Sequence, residues 1–151
     1  MKERLPYGSV ASEGVAHLGR LEGYLRKSGL EHKLLELVKT RTSQLNSCAF
    51  CLDMHTKDAR AAGETEQRLY ALSAWREAPF YTDRERAALA WTEAVTLVAI
   101  DGVSGELFEH AREHFTEKEL VDLTLAITSI NAWNRLSIAF GTVAGTYEPK
   151  K

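Results

Sequence analysis

The residues best equipped for chemistry stand together in Asn46-Ser47-Cys48-Ala49-Phe50-Cys51-Leu52-Asp53-Met54-His55, which holds both cysteines of the chain. On a helix, positions i, i+3 and i+7 share a face, so Cys48, Cys51 and His55 can line up. If Ser47 caps a helix beginning at Cys48, both thiols fall in its first turns. There the positive end of the helix dipole and the free N–H groups favour a thiolate. His55, one turn beyond Cys51, is near enough to exchange a proton with it. A thiolate so placed can attack a peroxide O–O bond and become a sulfenic acid. The second thiol then condenses with it to a disulfide, water is expelled, and an external dithiol restores the pair. Two other uses of the same residues are open: a cysteine pair packed in a core, and a zinc site. C-x-x-C with His55 supplies three ligands, but no second C-x-x-C or H-x-x-x-H lies nearby to complete four.

The remaining candidates carry weaker signals. His110 and His114 stand at i, i+4 and can chelate a metal, but Glu109, Arg112 and Glu113 beside them read as a solvated face. His17 and His32 lie among polar neighbours with no constellation around them. Trp75, Trp91 and Trp133 read as core or interface, with Trp133, Asn131 and Asn134 as possible pocket-lining residues. Asp53 points away from the Cys48–Cys51 face and reads as a surface or helix-start charge.

The elements that must position the cysteines are helical. Alternating β-branched runs are absent, and prolines occur at positions 6, 79 and 149 only. Val10 to Lys27 carries Val15, Leu18, Leu21 and Leu25 on one stripe and ends at Ser28-Gly29. Leu30 to Gln44 repeats the pattern with Leu34, Leu37, Val38 and Arg41. The cysteine helix is expected from Cys48 to about Ala62, with Gly63 as its C′ residue. A fourth helix covers roughly Glu66 to Trp75. Thr82-x-x-Glu85 is a capping box for a helix through Ala87 to Ile100, and Ser104 caps a sixth reaching Phe115. Thr116-x-x-Glu119 opens the last, to about Ala139. Its stripe of Leu120, Leu123, Ile127 and Ile130, with Val121, Leu125 and Ala132 elsewhere on its girth, asks for burial on most sides. That burial can come from a central place in the bundle or, in part, from a second subunit, and a homo-oligomer is expected. The fold class is therefore all-α, a single-domain bundle of six to seven helices over residues 1–151.

Composition limits the partners. A net charge of -2 without a basic run gives no reason to expect nucleic acid or anionic membrane. Nothing near Met1 resembles a secretory signal, and the longest apolar run, Ala94 to Ile100, is too short to span a bilayer. A cytoplasmic location is expected. A reducing compartment favours a catalytic or metal-binding cysteine pair over a static disulfide.

The stretch from Glu36 to His55 resembles the core of the alkylhydroperoxidase D-like proteins of the carboxymuconolactone decarboxylase superfamily. The shared pattern is a glutamate, eleven residues, then C-x-x-C-x-x-x-H, matched by Glu36, Cys48, Cys51 and His55. The segments Thr56–Arg60, Ala88–Trp91 and Asn131–Arg135 are also similar, so the likeness covers most of the chain. The resemblance implies an all-helical fold assembled as trimers or hexamers, and a thiol-dependent peroxidase without a cofactor. It implies Cys51 as the attacking thiol, Cys48 as the resolving one, His55 as base, and Glu36 as its relay partner through water. The implied partners are a hydroperoxide and a dithiol reductant, lipoylated or thioredoxin-like. One position departs: some members carry a histidine directly before the second cysteine, where this chain has Phe50. The superfamily's decarboxylases generally lack the cysteine pair, which argues against lactone decarboxylation.

Overall fold

A computed structural model describes residues 2–149, and among these every regular element is a helix. In chain order they are α1 (Tyr7–Val10), α2 (Ser12–Leu25), α3 (His32–Leu45), α4 (Ala49–Ala61), α5 (Glu66–Tyr70), a 3-10 turn (Leu72–Ala74), α6 (Asp83–Thr96), α7 (Val98–Asp101), α8 (Gly105–His114) and α9 (Glu117–Phe140). None is long and apolar enough to cross a membrane.

The expected bundle is present, but more finely divided than six to seven helices. The first expected helix begins at Ser12 rather than Val10 and is preceded by the separate short α1, which buries no side chain and packs Tyr7 on Phe140. The fourth tightens into a 3-10 turn over Leu72. The fifth stops at Thr96 and restarts at Val98. Val95, Thr96 and Val98 are β-branched and weak helix formers, and Val98 and Ile100 are exposed, so no core contact carries the helix past Thr96.

Caps act where their chemistry predicts. Both capping boxes, Thr82 with Glu85 and Thr116 with Glu119, are reciprocal, and Ser104 accepts from the Leu107 N–H. Helix α9 lies centrally, packed on α2, α3, α4, α6 and α8. Its Leu120, Leu123, Ile127 and Ile130 are buried, while Val121 remains in solvent.

Helix α3 is the spine that brings the site together. Leu34, Leu35 and Val38 join Leu25, Trp91, Leu123 and Ile127 in the larger core. Leu37 belongs to a second core with Leu72, Trp75 and Leu89 on the other side. A helix anchored on both flanks presents its remaining face, which carries Glu36 and Lys39, in a fixed direction. Beyond α9, Gly141 turns the chain at φ 71°. A side chain there would stand 3.3 Å from the Lys2 carbonyl, because residues 2–4 run alongside.

Candidate active site

The turn between α3 and α4 differs from the sequence expectation. Ser47 is not the cap of α4. It stands at φ 56°, in the left-handed region, and closes α3 instead. Its N–H donates to the Gln44 carbonyl, and the Cys48 N–H donates to the Ser43 carbonyl. This is a Schellman closure with serine in the position glycine usually takes. Cys48 thus ends one helix and is the N-cap of the next. The two helices are joined without slack, which fixes the thiols relative to Glu36.

Both cysteines are free and buried. Cys48 at the N-cap and Cys51 one turn on share a hydrogen bond between their sulfurs. That bond, first, lowers the Cys48 pKa to about 7, helped by the N–H groups of Cys51 and Phe50 and by the Asn134 side chain, against burial. The same bond with Cys48, then burial and the Cys48 charge, push Cys51 upward. Asn134 is itself held. It accepts from the Asn46 amide at 2.9 Å and donates to the Ser43 hydroxyl at 3.1 Å. Ile130 packs against the thiols, with Phe50 and Trp133 around them.

His55 is buried, and its Nδ1 is 2.8 Å from Glu36 Oε2. The link is direct, where the resemblance implied one through water. Burial alone would raise Glu36, but the hydrogen bond and charge of His55, with Lys39 and His32 adding to them, hold its carboxyl below the ordinary range. Lys39 is tied to Glu22 at 2.7 Å, and Glu22 also accepts from Ser129 at 2.6 Å.

These groups surround a cavity of about 750 Å³ whose wall includes Glu36, Cys51 and His55. Phe50, Met54 and Trp133 line its apolar side. Cys48 is not on the wall and sits behind Cys51. The four residues singled out by spacing therefore converge, three on the cavity and one behind it.

Several neighbours carried little sequence signal. Lys39 and Glu22 read as ordinary helix charges, although Glu36 and Lys39 at i, i+3 on a largely buried helix hint at a polar strip. His32 lines the cavity with its Nε2 3.9 Å from Glu36 Oε1. Trp133 does line it, whereas Asn134 reaches the sulfurs and Asn131 bonds to Thr96 and the Ile127 carbonyl. Asp53 is not a free surface charge. It accepts from Lys57 and from the Gly145 N–H at 3.0 Å, and so ties down the C-terminal segment. Tyr147 of that segment donates to Asp58 Oδ1 at 2.7 Å and closes one side of the cavity. His110, Glu113 and His114 form an exposed group on α8, away from the thiols. Cys48, Cys51 and His55 do not come together as a metal-ligand group.

An all-helical frame holding a C-x-x-C pair beside a Glu–His couple defines an alkylhydroperoxidase D-like protein. The chain belongs to the carboxymuconolactone decarboxylase family, whose model matches residues 13–94. It is 47% identical over 146 residues to the uncharacterized protein YdfG of Bacillus subtilis, covering 97% of this chain and 99% of that one. A crystal structure of a protein of unknown function from Agrobacterium tumefaciens, ATU0492, proposed there as an AhpD antioxidant defence protein, superposes with TM-score 0.92. It is 42% identical, covering 97% of this chain and all of that one. The debrominase Bmp8 shares the fold at TM-score 0.80, with 19% identity over 92% of this chain and 74% of its own.

Proposed function

We propose that the protein is a thiol-dependent peroxidase that reduces organic hydroperoxides through a Cys48–Cys51 disulfide. The observation that carries this reading is Cys51 and His55 on one cavity wall, with the Cys48 sulfur hydrogen-bonded behind. The similarity to the Agrobacterium protein supports it.

In the resting state Cys48 is the thiolate, Cys51 the thiol, and His55 shares a proton with Glu36 across their hydrogen bond. Cys51 attacks the distal peroxide oxygen. An S–O bond forms, the O–O bond breaks, and the Cys51 proton passes to Cys48. His55 protonates the departing alkoxide, which leaves as an alcohol. Cys48 then attacks the sulfenic sulfur, the S–S bond forms, and hydroxide leaves with the Cys48 proton as water. One hydroperoxide and two thiols become an alcohol, water and a disulfide. An external dithiol returns two electrons and two protons, restoring Cys48 and His55 to their starting forms. The Cys51 proton passes to Cys48 in the same step as the S–O bond forms, so the scheme needs no free Cys51 thiolate. Glu36 keeps His55 oriented.

Stopped-flow oxidation of the reduced protein by cumene hydroperoxide, with mass spectrometry of the product, tests the reading. Rapid formation of one intramolecular disulfide is expected, abolished in Cys51→Ser and slowed about 100-fold in Glu36→Gln. Full peroxide consumption by Cys51→Ser would refute the assignment. Sluggish oxidation by peroxide with fast exchange against a dithiol would instead identify a thiol–disulfide exchanger. We further propose a homo-oligomer, supported by the exposed Val98, Ile100 and Phe108 along α7 and α8. Light scattering on the purified protein decides between it and a monomer.

A further inference from the structure

His55 stands between two carboxylates. Ligand atoms of Glu36, His55 and Asp58 all lie within 4.8 Å of one another, and all three residues line the cavity. Glu36 comes from α3, while His55 and Asp58 come from successive turns of α4 at i, i+3. Glu36 and His55 are buried and Asp58 half-buried.

The charges around this group are unbalanced. Lys39, the buried cation nearby, is already paired with Glu22, and Arg26, which also lines the cavity, is exposed to solvent. Among the described residues, Asp58 receives only the neutral Tyr147 hydroxyl on its side chain. Two carboxylates thus face one imidazole in a largely desolvated wall, and a neutral or singly charged His55 leaves negative charge uncompensated. A dication would balance it. Two carboxylate oxygens and one imidazole nitrogen suit zinc and similar borderline ions. Bonds of about 2.0–2.2 Å place tetrahedral ligands roughly 3.3–3.5 Å apart, so the group needs only small side-chain rotations to close on an ion. The His32 imidazole, 3.9 Å from Glu36 on the cavity side, offers a further nitrogen.

We propose that Glu36, His55 and Asp58 form a binding site for a zinc-like divalent cation, and that the bound ion inhibits turnover. The ion takes the Glu36 oxygen and the His55 nitrogen that otherwise share a proton, and that proton leaves to solvent. Binding stands independently of the peroxidase reading, and only the inhibitory consequence rests on it.

The test separates the two. Zinc is titrated calorimetrically into the Cys48→Ser/Cys51→Ser protein, which has no thiols to bind metal. About one zinc per chain is expected, with affinity at least tenfold weaker in Asp58→Asn and in Glu36→Gln on the same background. Removal of the exposed α8 group by His110→Ala/His114→Ala should leave that binding unchanged. In the thiol-intact protein, micromolar zinc should suppress peroxide consumption and a chelator restore it, with Asp58→Asn needing at least tenfold more zinc. No zinc uptake by the thiol-free protein overturns the site. So does uptake indifferent to both Asp58→Asn and Glu36→Gln, or uptake lost with His110 and His114. A protein that binds zinc as described but consumes no peroxide would sustain the site and refute only the peroxidase.

Discussion

The acidity of the dithiol is the most direct test of the turn that joins α3 to α4. A cysteine at 9.0 when unperturbed is lowered here to about 7 at Cys48. The folded state therefore prefers the thiolate, and the stability this confers is absent below pH 7 and complete above pH 9. Two pKa units correspond to about 3 kcal/mol at full development, and most of it develops between these two pH values. Reduced wild type, compared with Cys48→Ser by urea unfolding across this range, should show a stability difference that grows by about 2 kcal/mol from pH 7 to 9. Thiolate absorbance near 240 nm should rise with a midpoint near 7 in wild type. It should shift far upward in Cys48→Ser, which leaves only the Cys51 thiol. Cys51→Ser retains a hydroxyl donor, so its midpoint should stay well below 9. A wild-type midpoint at the ordinary thiol value, or a low midpoint that survives Cys48→Ser, would refute the reasoning. The second result would assign the thiolate to Cys51 and invert the roles of the two sulfurs.

Other perturbations read the scaffold. Ser47→Gly removes a left-handed serine and should stabilise the reduced protein by about 1 kcal/mol, seen as a higher urea midpoint at unchanged slope. Leu37→Ala hollows the core shared by α3, α4 and α6 and should cost about 2–5 kcal/mol in the same assay. Thr116→Ala strips the capping box from α9 and should cost about 1 kcal/mol, with no change in the thiolate midpoint. Glu93→Ala leaves the Trp75 indole N–H and the Arg41 guanidinium without their acceptor, for a loss of about 1–3 kcal/mol.

Much of the frame is legible in the chain because helix ends are written locally. Thr82 with Glu85, Thr116 with Glu119, Ser104 and Gly63 each act within four residues of themselves, so their positions carry over unchanged. The break at Leu97 is different. The apolar pattern runs through it, and the lack of a packing partner for the exposed Val98 and Ile100 interrupts the helix. Ser47 shows the limit of reading caps by residue type. Serine suits an N-cap, yet here the six-residue closure from Ser43 to Cys48 takes precedence and hands that position to the cysteine.

The same division runs through the candidate site. Spacing alone determined that Cys48, Cys51 and His55 share a face, since a helix repeats every 3.6 residues wherever it is placed. Which sulfur faces the cavity, the direct Glu36–His55 bond, and the presence of Asp58, Lys39, Asn134 and Tyr147 around them were decided by tertiary structure. The Glu36–His55 bond joins residues 19 positions apart, and the bonds of Asn134 to Asn46 and of Tyr147 to Asp58 join residues 88 and 89 apart. No local rule encodes such neighbours. They follow from how α3, clamped between two cores, aims its polar face at α4 and at the segment that follows α9.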